Sequence, residues 1–298
     1  MKKLVARLAG YATLAVLWLL HGLPLSWQAA LGHAVGGLLW RFARSRRAVT
    51  LRNLALCFPE WPEVQRERLG REVFTWFSRS VLERGVLWFA PVSRLRRLIQ
   101  VEGDWGFADR HPGPVMWLVP HFVGLDVAGV SSQLMIRRGK ASIYQAQSNP
   151  VIDAAMRRAR LRLGNTALFA RAETARPLMR AVRDGMGFFN LPDMDFGERD
   201  AHFVPFFGVP AATLLAPSRM ARTLGMVVQP VLVRLLPGGE GYRVRYLPPL
   251  ENFPTDDPVA DATRMNRCIE DWVRECPEQY FWVHRRFKTR PPGSPSVY

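Results

Sequence analysis

The sequence predicts an α/β protein built on a central mixed sheet flanked by helices. Three observations predict it. Short apolar runs bounded by Pro or Gly, Val115–Val119 and Gly187–Leu191, read as strands buried on both faces. Segments of helical length lie between such runs, and several end at glycine, as at Gly139, Gly164 and Gly185. Met226–Leu235 and Tyr242–Leu247 flank Pro237-Gly238-Gly239 as a hairpin, which adds an antiparallel pair.

Taken in order, Lys2, Lys3 and Arg7 precede a mostly apolar stretch from Leu8 to Leu25. This length is at the lower limit of a membrane span. A second apolar, Gly-containing helix follows from Ala29 to Phe42, and Arg41, Arg44, Arg46 and Arg47 close the region. No small-x-small cleavage site follows Leu25, so the reading is an uncleaved anchor, either a short span or an in-plane helix. A signal peptide and a soluble core helix share much of the pattern. Residues 1–45 are thus expected to be the anchor and residues 46–298 the catalytic domain.

Arg47–Glu60 is an amphipathic segment ended by Pro59. Pro62–Phe89 reads as one long helix with Leu69, Val73, Trp76 and Phe77 on its core face, and Pro91–Ile99 as a short one. Gln100–Gly103 and Ala141–Gln145 are candidate strands, and Gly124–Arg138 is a helix. Pro150–Leu163 is a helix rich in arginine, and Thr174–Asp184 another. His202–Pro210 is expected to be an apolar loop suited to acyl chains or a membrane. Ala212–Leu224 and Val259–Cys276 are further helices, and a Pro-rich tail runs to Tyr298.

The chain of 298 residues carries 41 Lys plus Arg against 25 acids, a net charge of +16. Such a surface expects acidic partners: nucleic acid, anionic lipid or an acidic protein. Ten Trp and seventeen Phe, with no basic tail, favour lipid over nucleic acid. Three cysteines without a Cys-x-x-Cys argue against a disulfide framework or zinc site and for a reducing compartment.

The chemistry centres on His121, at the end of the Val115–Val119 strand and just before a helix. Ligands bind at such strand ends in open α/β sheets. Asp126 follows five residues later. On one continuous helix the two side chains would diverge by roughly 140°. With His121 on the turn and Asp126 in the first helical turn they can meet. The carboxylate would then fix the imidazole tautomer and leave the other nitrogen as a base. A hydrogen-bonded loop histidine beside a first-turn acid favoured by the helix dipole fits the same spacing. Arg157, Arg158, Arg160 and Arg162 form either a solvated face or a cationic wall suited to phosphates. Asp193 and Asp195, at another strand end, read as substrate-orienting acids, cation ligands or turn formers.

Five blocks in order resemble one family. They are Asn53-Leu54-Ala55-Leu56-Cys57-Phe58-Pro59, His121 to Asp126, Pro192-Asp193 through Gly197, Val204-Pro205-Phe206-Phe207-Gly208, and Glu278-Gln279-Tyr280 with Trp282 to Pro291. Together they resemble the bacterial late acyltransferases of lipid A biosynthesis, the lauroyl/myristoyl transferase family, from about Arg47 to Tyr298. The resemblance implies the α/β fold shared with glycerolipid acyltransferases. It implies His121 as general base, Asp126 as its orienting acid, and Arg160 and Asp193 as functional residues, with Arg158 a neighbouring candidate for substrate binding. The implied donor is a fatty acyl thioester on acyl carrier protein, or acyl-CoA, and no metal or redox cofactor is required. The implied acceptor is the hydroxyl of a 3-hydroxyacyl chain on a lipid A precursor bearing Kdo sugars. The expected location is the cytoplasmic face of the inner membrane, with no nucleic-acid partner. Members close to the lauroyl enzyme often carry Glu where this chain has Asp126, and Gln where it has Met194. These departures leave acyl length and acceptor open, including a lysophospholipid or other glycerolipid acceptor.

Overall fold

The computed structural model describes residues 1–171 and 175–298. The chain opens with α1 (Lys2–His21), α2 (Leu25–Phe42) and α3 (Arg44–Cys57). The long helix expected from Pro62 to Phe89 is two helices, α4 (Glu63–Leu82) and α5 (Arg84–Phe89), followed by α6 (Val92–Leu98). Next come β1 (Ile99–Gly103), α7 (Phe107–Arg110), β2 (Val115–Leu118), α8 (Leu125–Met135), β3 (Lys140–Tyr144) and α9 (Pro150–Leu161). They are followed by β4 (Thr166–Ala170), α10 (Ala175–Arg183), β5 (Gly187–Asn190), β6 (Ala201–Phe206), β7 (Val209–Leu214) and α11 (Ala216–Leu224). The chain closes with β8 (Val227–Leu235), β9 (Tyr242–Tyr246) and α12 (Pro258–Glu275). Thr174, the expected start of α10, lies outside the described residues.

Seven strands form the central sheet in the order β1-β9-β8-β2-β5-β3-β4. Every neighbouring pair is parallel except β8–β9, the hairpin that makes the sheet mixed. All four residues of β2 are buried, as are all four of β5, because helices cover both faces. One apolar cluster joins Met116, Phe188 and Val228 to α4 and α12; another joins Trp117, Val119 and Phe189 to α5, α8 and α9.

The N-terminal helices differ in their surroundings. The segment Lys3–His21 has a mean hydropathy of 1.5 and only 11% of it is buried. It rests on α5, where Gly85 lies against the Leu17 carbonyl, and on α9, where Gly10 meets Asn149 and Val151. A Cβ at either glycine would sit under 3 Å from those atoms. The α2 helix packs along α4, with Gly32 against Arg79 and Gly36 against Thr75.

The stretch His202–Pro210 is not a loop. It forms most of an antiparallel hairpin of β6 and β7, turning at Phe207 and Gly208, both with positive φ. Val204 and Phe206 point inward, while His202 and Pro205 are exposed. Phe206 is fully buried and Phe207 nearly so, packed with Tyr280 and Trp282. The expected exposed docking loop is core.

Candidate active site

Two neighbouring parallel strands deliver the central pair of side chains. β2 and β5 pair Leu118 with Asn190, and three residues beyond each partner stand His121 and Asp193. The Asn190 carbonyl accepts the Val119 N–H at 2.9 Å, holding the two exits together. A C-terminal segment pins the His121 turn from the other side. The Phe281 N–H donates to the His121 carbonyl, and the Val123 N–H donates to that of Gln279.

His121 donates twice to Asp193: Nδ1–H to Oδ1 at 2.6 Å and the backbone N–H to Oδ2 at 2.9 Å. Tyr280 adds its hydroxyl to Oδ2 at 3.0 Å. The Asp193 carboxylate is fully buried, and burial alone would raise its pKa. The charge and two bonds of His121, with the Tyr280 hydroxyl, outweigh burial and hold it below the usual carboxylate value. An ionised partner only accepts, so Nδ1 carries the hydrogen and Nε2 is left as the basic nitrogen. His121 lines a cavity of about 560 Å³.

Asp126 does not make the expected bond to His121. It sits in the first turn of α8, where two arginines claim it. Arg160 of α9 donates through Nε at 3.2 Å and Nη2 at 2.8 Å to one oxygen; Arg84, which begins α5, lies 3.6 Å from the other. Burial pushes this carboxyl up, but Arg160 and Arg84 reverse the effect and lower it. The imidazole's orienting acid is therefore Asp193, reached across the sheet. Both acids remain near the chemistry, since Asp126 and Arg160 line the same cavity as His121.

Two other expectations change. Asp193, anticipated as a substrate contact, is absent from the cavity lining and touches His121 instead. Arg158 is also absent from that lining. Two residues along a helix turn the side chain by about 200°, so Arg158 leaves α9 on the side opposite Arg160. It lines a separate groove against α1. Asp195 lines the cavity and also braces a turn: it accepts from Gly197 N–H and from the N–H and hydroxyl of Thr289.

Backbone N–H groups at the start of α8, which could face an oxyanion, are partly spent. Val123 N–H is given to Gln279 and Leu125 N–H to Phe122. Arg160 uses only Nε and Nη2 on Asp126, so guanidinium donors remain.

Four contributors have no role that the sequence pattern assigns: Arg84, Tyr280, Lys140 and His284. The Lys140 amine is buried against the cavity, bonded to the Gly129 carbonyl and, at 3.2 Å, to the Ser132 hydroxyl. Burial, then the Arg160 charge, pull it down to about 7 against a smaller upward pull from Asp126. His284 lines the cavity as well and accepts the Asp195 N–H at 3.3 Å. Burial first, then His121 and Arg286, lower it to about 4, so it is neutral at pH 7. Tyr280 and His284 stand in the last of the five family-like blocks; a lone lysine at a strand start and an arginine inside a long helical pattern carry no signal.

The cavity joins an imidazole, three basic side chains (Lys140, Arg160 and Arg171) and apolar walls that include Leu87, Trp88, Met156 and Phe189. That set suits proton abstraction from a hydroxyl beside an alkyl chain, with anionic groups held nearby.

Comparison with known proteins identifies the family. The chain is 34% identical over 288 residues to the lipid A biosynthesis lauroyltransferase of Escherichia coli K12, covering 96% of this chain and 93% of that protein. It is 33% identical to the palmitoleoyltransferase of the same organism, with 96% and 92% coverage, and 32% identical to its myristoyltransferase, with 89% and 82%. The sequence model of the bacterial lipid A biosynthesis acyltransferases matches residues 2–289. With this match spanning nearly the whole chain, the protein belongs to the bacterial lipid A biosynthesis acyltransferase family.

Proposed function

We propose that the protein transfers a fatty acyl chain from the thioester of acyl carrier protein to the hydroxyl of a 3-hydroxyacyl chain on a Kdo-bearing lipid A precursor, at the cytoplasmic face of the inner membrane. The observation that carries this reading is the His121 imidazole, held at Nδ1 by a buried carboxylate, in a cavity with both apolar walls and cations.

His121 Nε2 takes the acceptor's hydroxyl proton as its oxygen attacks the thioester carbonyl. A C–O bond forms and the carbonyl electrons move to oxygen. Asp193 stays ionised and stabilises the imidazolium. The Arg160 guanidinium, held by Asp126, stabilises the oxyanion. Collapse breaks the C–S bond, and the imidazolium returns its proton to the leaving thiolate. Asp126 is thereby a positioning residue acting through Arg160 and Arg84. The net charge of +16 suits an acidic carrier protein and a phosphorylated, carboxylated acceptor.

The test supplies the purified chain with labelled acyl-carrier thioester or acyl-CoA, and with Kdo-lipid A precursor or a lysophospholipid. Transfer should require the lipid A precursor, favour the carrier donor, and weaken with salt as steering is screened. His121→Ala should lose about 10²–10⁴-fold. Equal transfer to the lysophospholipid, or near-normal turnover of His121→Ala, overturns the reading.

A further inference from the structure

A second concavity, of about 730 Å³, lies between α1 and α9. Its α1 wall is one helical face: Lys3, Arg7, Tyr11 and Leu14 recur every three or four residues. Its α9 wall, carrying Ala154, Ala155 and Arg158, faces away from the side that presents Met156, Ala159 and Arg160 to the catalytic cavity. One helix thus separates two sites.

The junction is built rather than incidental. Asn149 caps α9 by accepting the Val151 and Ile152 N–H groups, and its amide donates to the Ala6 carbonyl of α1 at 2.7 Å. Gly10 allows the helices to touch there. Among the described residues, none of the three cations is paired with a carboxylate. Beside the groove α1 exposes Leu4, Val5, Leu8, Trp18 and Leu19. A ligand here meets three positive charges, small apolar side chains, and an adjoining surface that water solvates poorly.

We infer that this groove is a binding site for an anionic glycerophospholipid, with its phosphate among Lys3, Arg7 and Arg158 and an acyl chain along Ala154, Ala155 and Leu14. The charge calls for an anion, and the apolar length between the helices calls for a chain attached to it. Lodged there, the lipid joins α1 to α9, the helix that supplies Arg160. The site does not depend on the transfer chemistry, because it uses the opposite face of α9.

The experiment is native mass spectrometry of the full chain in detergent, titrated with phosphatidylglycerol or phosphatidylcholine. One phosphatidylglycerol should be retained in preference. Arg158→Glu should weaken it by about tenfold or more, whereas Arg97→Glu, an exposed charge on α6, should not. Ala154→Trp fills the groove and leaves every charge in place. It should abolish the retained lipid while salt-sensitive adhesion to phosphatidylglycerol vesicles persists. Melting temperature and acyl transfer monitor folding of each variant. Equal loss from Arg158→Glu and Arg97→Glu, undiminished retention in a folded Ala154→Trp protein, or displacement by the lipid A precursor at equal concentration overturns the proposal.

Discussion

Asp193→Asn separates the two acids by role. The change preserves volume and removes one charge. In the transition state the imidazole becomes positive 2.6 Å from Asp193 Oδ1. At an effective dielectric constant of about 20, unit charges at that separation attract by roughly 6 kcal/mol. Each 1.4 kcal/mol is about tenfold, so this exceeds the roughly 10²–10⁴-fold that a general base supplies. The loss should therefore approach the His121→Ala loss, about 10³-fold or more in kcat. The KM should hardly move, since Asp193 lines no part of the cavity. Combining Asp193→Asn with His121→Ala should cost little more than His121→Ala alone, because the residues act as a unit. Steady-state kinetics over both substrates, with circular dichroism to verify folding, measures this. Retention of more than a tenth of wild-type kcat, a loss confined to KM, or multiplicative losses in the double variant would refute the assignment of Asp193 as the histidine's partner.

Three further outcomes follow from other contacts. Arg84→Met should lower kcat/KM severalfold, and less than Arg160→Met does, because Arg84 is 3.6 Å from Asp126 and 41% exposed while Arg160 makes two closer bonds; equal losses would count against that ranking. On α4, Arg79→Met should destabilise by about 3–5 kcal/mol in denaturant unfolding by leaving Glu83 buried without its partner, and the added change Glu83→Leu should restore most of it; no restoration would mean that the pair's packing, not its charge, matters. Lys140 releases its proton near pH 7 when folded and near 10.5 ordinarily. Between those values the unfolded chain holds the extra proton, so stability should rise with pH across that window, and below it the burial penalty is fully present. Lys140→Met should flatten that rise; an unchanged slope in chemical denaturation at pH 7 to 10 would remove Lys140 as its source.

The sequence carried the sheet where local pattern suffices. Runs such as Val115–Val119 are apolar throughout because both faces are covered, and the β8–β9 hairpin announces itself by its Pro-Gly-Gly turn. No local pattern marks β4, whose five residues are all half-buried and so carry no clean apolar run. The run His202–Pro210 reads as an apolar loop and Ala212 as a helix start, yet both lie in the β6–β7 hairpin, and α11 begins only at Ala216. The actual signal was weak alternation, with Val204 and Phe206 turned inward.

The pairing of His121 needed information that no local spacing holds. Asp126 is five residues away and Asp193 is 72, yet strand order makes the distant acid the neighbour. Once β2 and β5 are adjacent and parallel with Leu118 opposite Asn190, equal steps beyond each end bring residues 121 and 193 together. Sequence proximity puts Asp126 on a helix that starts after the turn, where guanidiniums from α5 and α9 outcompete the imidazole for it. A guanidinium is always charged and fits a carboxylate well, whereas an imidazole at neutral pH offers one N–H. The nearer acid is thus drawn into fixing cations, and the farther one, shielded from the cavity and bonded by Tyr280, is left to hold the imidazole. In this sheet the order of its strands, more than the five-residue motif, decides which carboxylate does which work.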